Sequence, residues 1–551
     1  MIAKFLNSKT KTITFTAAIL AGSGLLSGVL GFLRDNLLAN LLPKTQTDIY
    51  FAAFRIPDFV YGILITGGIV AAFLPVFSAE FKKSKEDAQI LTNNVLTFFL
   101  IALIVICSIL AIFTPYLIEV LVPGFSLDQK TQTIALTRIM FLSPILLGVS
   151  SIFSGILQYS SLFFAYSLTP ILYNVGIIFG IVFLLPLFNF DPRALAYGVV
   201  LGALLHLLIQ ISPVLKSGFR PRFSFNFRHP GLQKIFKLMI PRTLGAAAYH
   251  INLIVITAIA STLAVGSIRI FNFANNLQGV PIGLVGISFA TAAFPILSRH
   301  FANNAKEKFL KSFSTIFSQI LFLIIPLSFL TFLLRAQIVR LILGTFIFGA
   351  GLFDWWDTRL TAASLGIFSL ALFANCLIPF LAKVFYSFHD TKTPVKIAVF
   401  SVVLNIILCY FFVGFLNSPS FLQGKIVSFL KLKGIQSVSV LGLPLALSIS
   451  SICQFFLLVS FLKRKTKILD FRRIYLSFLK ILVSAILMAI LVYLTLQISS
   501  LFLATNKVSG IFLQAFFAIV VGVLSYGFFS FLLKSQEPKV IWSSLLAQFK
   551  K

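Results

Sequence analysis

The chain has 551 residues, of which 58% are hydrophobic and only 11% charged, with a mean hydropathy of +1.00. That balance excludes a soluble globular protein and marks an integral membrane protein. The net charge of +30 does not call for a nucleic-acid partner. The basic residues sit in short loops between apolar runs, where the positive-inside rule and anionic headgroups account for them.

A helix needs about 20 residues to cross the hydrocarbon core. On that basis the sequence predicts an all-α polytopic protein of about fourteen transmembrane helices. The candidate spans are 13–41, 48–78, 90–114, 133–157, 162–185, 195–214, 236–262, 267–299, 312–334, 358–388, 394–416, 441–462, 474–497 and 508–533. Apolar runs of this length, broken at regular intervals by charge, are unlike a transmembrane barrel, whose strands alternate every second residue. The basic start (Lys4, Lys9, Lys11) leads into a run that reads as a first span rather than a cleaved signal. An even count puts both termini on one side. The loops of that side carry 30 Lys+Arg and the opposite loops 10, so both termini are expected in the cytoplasm.

The five basic residues left over are Arg34, Arg55, Arg138, Arg242 and Arg269, all arginine in a chain with 29 lysines and 16 arginines. Arginine stays charged when desolvated and grips phosphate or carboxylate in a fork. Arg242 and Arg269 fall near predicted helix ends, which suits snorkelling to the interface. The four cysteines, Cys107, Cys376, Cys409 and Cys453, all lie in apolar runs without a CxxC pair, and read as small core residues.

The charged hairpin of spans 1 and 2 stands out. Between Ser27 and Pro75 it holds Arg34, Asp35, Asp48, Arg55 and Asp58, although each charge at mid-bilayer costs about 2.5–3.5 kcal/mol. Asp48, Arg55 and Asp58, spaced by seven and three, share one helix face. Arg34 and Arg55 each lie about 10 Å from the outer end of their span, level with one another. Two readings follow: an anion site in a water-filled cavity, or a self-neutralising network such as Arg34 with Asp58 and Arg55 with Asp48. Two arginines against three aspartates sum to −1, which leaves room for a coupling cation of unknown identity or a protonated carboxylate. His206 and His250 stand singly in spans 6 and 7 and read as lone polar contacts. No HExxH, P-loop or GxSxG motif is present, so neither an enzyme nor a cofactor is expected.

An internal repeat is visible at a shift of 220 residues, where AAFLPVFSAEF (71–81) falls on TAAFPILSRHF (291–301). Ala72, Pro75, Ser78 and Phe81 meet Ala292, Pro295, Ser298 and Phe301. Span 2 then corresponds to span 8, which predicts an N-lobe at 1–214, a basic linker at 215–235, a C-lobe at 236–462 and two extra helices with a tail at 463–551. Transporters often have such halves. Within the linker, FRPRFSFNFR (219–228) is either a segment lying on the membrane surface or a plain basic connector.

These residues carry a resemblance. GVLGFLRDNLLANLL, TDIYFAAFRIPDF and GGIVAAFLP resemble the first hairpin of the MurJ (MviN) family of lipid II flippases. FYSFHDTKTPVKIAVFSVVLNIILCYFF (385–412) is similar to that family's span 11 with its preceding loop, and ILQYSSLFFAYSLTPILYNVGII (156–178) to its spans 4 and 5. FANNLQGVPIGLVGISFATAAFPILSRHF is similar to its span 8. The family belongs to the multidrug/oligosaccharidyl-lipid/polysaccharide exporter superfamily. The resemblance implies alternating access, with lipid II or a similar polyprenyl diphosphate-linked sugar entering a cationic cavity from the cytoplasmic leaflet and leaving outward. It also implies a groove from spans 13 and 14 for the polyprenyl tail, and placement in the bacterial inner membrane as a monomer among membrane lipids. Arg34, Asp35 and Asp48 match charged positions of the family, and Arg55 a position that accepts lysine or arginine. Gly28, Tyr61 and Asn276 stand where the family usually has arginine. The expected substrate-binding set is Arg34, Asp35, Asp48, Arg55, Asp58, Tyr61 and Asn276, with Arg138, Arg242 and Arg269 secondary. Those three departures keep two alternatives open: an exporter of another polyprenyl-linked glycan, and a non-transporting paralogue.

Overall fold

The computed structural model describes residues 13–538 apart from 227, 347–348, 350, 436, 467–470 and 505. Among the described residues there is no β-strand. Fourteen long helices follow one another: α1 (Ile13–Leu41), α2 (44–83), α3 (Lys85–Leu121), α4 (Leu127–Tyr159), α5 (Phe163–Leu187), α6 (Arg193–Lys216) and α7 (Pro230–Ser261). Then come α8 (Ser267–Ala302), α9 (Lys306–Leu333), α10 (Trp355–Ser387), α11 (Lys392–Asn417), α12 (Ser439–Lys465), α13 (Phe471–Phe502) and α14 (Val508–Leu532). In hydrocarbon each backbone N–H and C=O must be satisfied within its own segment, so an apolar run of this length has little choice but helix. Twelve of the fourteen are long and apolar enough to cross a membrane. The other two are α2, interrupted by Asp48, Arg55 and Asp58, and α7, whose apolar part is Ala247–Ser261 behind a basic first half. The helices outrun the predicted spans, α3 reaching 37 residues, because polar turns continue the backbone pattern beyond the apolar stretch. Capping side chains set several starts. Ser84 accepts from the Asp87 amide at α3, and capping boxes at Ser126/Gln129 and Asp354/Asp357 open α4 and α10. Short helices Arg335–Ile342 and Phe421–Phe429, not predicted from the sequence, lie in loops.

Among the described residues three helices contain π-helical stretches: Tyr61–Ile69 in α2, Gly180–Leu184 in α5 and Ile282–Ile287 in α8. The first and third lie at matching places under the 220-residue repeat, each followed by an α-helical end that holds the repeat proline, Pro75 or Pro295. A π-stretch displaces one residue from the helical ladder and is frequent at functional positions.

The chain divides into two compact units, Met1–Arg269 and Ile270–Lys551. The division falls one helix later than the lobe boundary expected at 236, since α7 packs on the π-stretch of α2. Gly62 makes that contact possible: a Cβ there would stand 1.8 Å from Nε2 of His250. In the first unit, α5 and α6 meet through paired glycines. A Cβ on Gly176 would lie 2.3 Å from the Gly202 Cα, and one on Gly180 2.5 Å from the Gly198 Cα. Both helices thus present a GxxxG face, the close backbone approach that drives association where lipid offers no hydrophobic contrast. The second unit has a phenylalanine-rich core in which Phe313 and Phe380 stack with centroids 5.6 Å apart. Cys107, Cys376 and Cys409 are buried free thiols and Cys453 is half-buried.

Candidate functional site

The first unit holds a polar cavity of about 220 Å³ between α1, α2, α4, α5 and α6, lined by Arg34, Asp58, Tyr61, Ser143, Tyr173 and His206 among others. It adjoins a second cavity of about 450 Å³ that shares Tyr61 and His206 and adds Ser151, Ser154 and Gln158. Three residues singled out in the sequence, Arg34, Asp58 and Tyr61, therefore share one space.

Arg34 is oriented by two helices. Its Nε and Nη2 donate to Asp35 Oδ1 at 3.0 and 2.8 Å, and its Nη1 to Asn174 Oδ1 of α5 at 3.3 Å. Asn174 in turn donates to the Ser27 hydroxyl at 3.2 Å and the Ser27 carbonyl at 3.3 Å, which fixes its amide. The pairing of Arg34 with Asp58, offered by the self-neutralising reading, does not form. Asp35 is adjacent and buried, and a charge so placed takes the nearest partner that desolvates with it. Asp58 instead lies 3.9 Å from Nδ1 of His250. Arg55 donates from Nε to the Thr257 hydroxyl of α7 at 2.8 Å. Asp48 accepts from the amides of Gly266 at 2.6 Å and Arg269 at 2.7 Å. A carboxylate there satisfies orphan donors of the first turn of α8 and faces the positive end of its dipole.

The remaining candidates scatter. Asn276 is half-buried in α8 of the second unit, six residues before the π-stretch. Arg138 donates from α4 to the Ala111 carbonyl of α3 at 3.0 Å. Arg269 is fully buried at the start of α8, not snorkelling, because its own amide is tied to Asp48. The side chain of Arg242 lies outside the described residues.

His206, read from the sequence as a lone polar contact, belongs to the walls of both cavities. Nδ1 of His206 is 2.6 Å from the Ser150 hydroxyl, and Gln210 Nε2 donates to that hydroxyl. Ser154 donates to Gln210 Oε1 at 3.1 Å. The legible signal was the pair of i, i+4 spacings, Ser150/Ser154 and His206/Gln210, which put each polar pair on one helix face. Asn174 and Thr257 carried no such signal.

The sequence profile described as lipid II flippase MurJ matches residues 39–513. The chain belongs to the MurJ family. Among its relatives, the probable lipid II flippase MurJ of Buchnera aphidicola subsp. Acyrthosiphon pisum is 28% identical over 509 residues, covering 92% of this chain and 94% of the relative. That of Haemophilus influenzae is 32% identical over 405 residues, covering 69% and 77%. A solved lipid II flippase MurJ in an inward closed conformation matches with a TM-score of 0.72 at 22% identity, covering 96% of this chain and all of that one. An inward-facing multidrug resistance transporter of the MATE family, in the MOP superfamily, matches at 0.63 and 13% identity, covering 80% and 94%. The fold is that of the MurJ family and its superfamily.

The MurJ resemblance implied a tail groove from α13 and α14. The second unit contains an apolar cavity of about 640 Å³ between α9, α10, α12 and α13, lined by Phe329, Phe373, Phe455, Tyr475 and Phe478 among others. Helix α14 does not line it. It packs outside, where the Tyr526 hydroxyl donates to the Phe322 carbonyl of α9 at 2.8 Å.

Proposed function

We infer that this protein is a flippase for lipid II, the lipid-linked peptidoglycan precursor, which it moves from the cytoplasmic to the outer leaflet of the bacterial inner membrane by alternating access. The observation that carries this reading is the family match over residues 39–513, which takes in the apolar cavity and most of the wall of the polar one. Lipid II has a diphosphate-sugar head and a long isoprenoid tail, and the chain offers a feature for each. Arg34, held with one face toward the polar cavity, is the cation for the head. Arg55, anchored to Thr257, is a second. The aromatic-walled cavity of α9, α10, α12 and α13 suits the tail. Asp35 and Asp58 position and balance the guanidinium groups, while Asp48 holds the amides of Gly266 and Arg269.

The 30-to-10 loop bias supports cytoplasmic termini and entry from the cytoplasmic leaflet. The inside-negative potential then favours outward passage of an anionic head, by about 2.3 kcal/mol per charge per 100 mV. Complementation of a bacterium depleted of its own lipid II flippase tests the reading. Growth with normal cell shape is the expected result. Failure of a chain that is abundant in the membrane would point to another polyprenyl-linked glycan or to a non-transporting paralogue.

A further inference from the structure

The linker between α6 and α7 is not a free loop. Its backbone is tied to a polar stripe on α3. The Arg220 amide donates to Gln89 Oε1 at 3.0 Å, and Gln89 Nε2 donates back to the Arg220 carbonyl at 2.7 Å. The Arg222 amide donates to Asn93 Oδ1 at 3.0 Å, and the Ser224 amide to the Thr97 hydroxyl at 2.9 Å. Asn94 Oδ1 then accepts from the Ser224 hydroxyl at 2.6 Å and the Asn226 amide at 3.1 Å. Residues 220, 222 and 224 of the linker are held by residues 89, 93 and 97 of the helix, two residues against four, and residue 226 returns to Asn94. The two spacings agree: four helical residues rise about 6.0 Å, and two extended residues about 6.6 Å.

This strap therefore has a fixed depth. Residues 85–94 of α3 (KEDAQILTNN) are mostly polar, and the apolar run begins at Val95. Arg220 lies level with Gln89, two turns outside that boundary, and Ser224 lies level with Thr97, just inside it. Phe223 and Phe225 are 73% and 67% exposed at the inner level. Arg220, Arg222 and Arg228 are exposed too, the first two nearer the water. Phe219 is buried against Phe77 and Phe81, which locks the start of the strap to α2. Rings at the hydrocarbon edge with guanidinium groups one to two turns above them are the arrangement of an interfacial anchor.

We propose that residues 219–226 together with Arg228 form a binding site for anionic phospholipid, in which Phe223 and Phe225 enter the acyl boundary and Arg220, Arg222 and Arg228 hold headgroup phosphate. Charge selects the occupant. The strap carries three arginines and no carboxylate, and Lys82, Lys83, Lys85 and Lys216 stand at the same ends of the neighbouring helices. Glu86 and Asp87 of α3 reduce this field without reversing it.

The test uses the full chain with Trp355, Trp356 and Trp542 replaced by Phe and with Phe225→Trp as the reporter. It is reconstituted in phosphatidylcholine vesicles with and without phosphatidylglycerol. Quenching by chain-brominated lipid, stronger for brominated phosphatidylglycerol than for brominated phosphatidylcholine, is expected, with little quenching by aqueous acrylamide. Arg220→Gln and Arg222→Gln should each cut the anionic preference about fivefold. Asn94→Ala, which unpins the strap, should raise acrylamide quenching. Acrylamide quenching of the parent reporter without lipid quenching would overturn the proposal and mark a surface for a soluble protein. Equal quenching by the two brominated lipids would also overturn it. Should Phe225→Trp not fold, a spin label at Phe223→Cys, read by collision with oxygen against a water-soluble nickel complex in the same vesicles, decides the same question.

Discussion

Arg34 and Asp35, neighbours in sequence, are bonded to each other: Nε and Nη2 of the arginine converge on Oδ1 of the aspartate at 3.0 and 2.8 Å. The guanidinium is thereby held with its remaining edge toward Asn174 and the polar cavity. Arg34→Ala should abolish complementation. Arg34→Lys should also fail, because ammonium cannot hold that fork and reach Asn174 together. Asp35→Ala leaves a desolvated cation without its partner. That costs about 3–5 kcal/mol, so membrane abundance should fall. The double variant Arg34→Ala/Asp35→Ala should regain abundance without regaining transport. Complementation by the double variant would reduce the pair to a structural one.

Arg55 has a different anchor and a different expected tolerance. A lysine can reach the Thr257 hydroxyl that Arg55 Nε bonds, so Arg55→Lys should retain much of the activity and Arg55→Ala little. Complementation measured beside membrane abundance gives the answer. Equal loss in both variants would show that the guanidinium geometry is needed.

Asp48 acts on the first turn of α8. Asp48→Ala removes an acceptor used by two amides, Gly266 and Arg269. The expected loss is about 1–2 kcal/mol, as for a lost helix cap. Asp48→Asn keeps an oxygen in place and should lose less. Thermal unfolding of the detergent-solubilised variants provides the comparison.

The α5–α6 glycines are constrained by backbone. At Gly176 an added Cβ would meet the Gly202 Cα at 2.3 Å, and no side chain can swing away. Gly176→Ala should destabilise by about 1–3 kcal/mol. At Gly245 a Cβ would meet nothing within 4 Å, so alanine should be accepted there. Paired thermal unfolding of the two variants tests the contrast.

Asp390 gives a pH dependence on the expected cytoplasmic side. Burial pushes its carboxyl up, but the 2.6 Å bond from Lys465 and two bonds from Thr393 outweigh this and hold it below the ordinary value of 3.8. A folded-state value below the unfolded one stabilises above the unfolded value, and the benefit is lost as pH falls through the folded one. Asp390→Asn should therefore lower stability modestly at neutral pH, by up to about 1 kcal/mol for so exposed a pair. The difference from the parent should shrink as pH falls below the ordinary carboxylate value of 3.8 and through the lower folded one. Topology can be mapped by cysteine labelling at exposed lysines of the loops and helix ends. Cysteines at Lys85, Lys306 and Lys463 should be shielded from an impermeant reagent in intact cells, and one at Lys433 should react.

The number and order of the long helices were determined by the sequence, including the two that a purely apolar criterion omits, 44–83 and 230–261. Helix formation in a membrane is a local matter: each backbone group bonds four residues away, so length and hydropathy suffice to read it. The concentration of charge in α1 and α2 was equally legible, because a charge in an apolar run is visible without neighbours. Which carboxylate each arginine meets was decided only by the tertiary structure. Arg34 takes Asp35 rather than Asp58, Asp48 goes to the amides of Gly266 and Arg269, and Asp58 faces His250. Spacing fixes which residues share a face of one helix, but a pair across helices depends on how each helix is rotated and how closely it packs. Those are set by contacts such as Gly62 under His250 and Gly176 against Gly202, which join residues 188 and 26 positions apart in the chain.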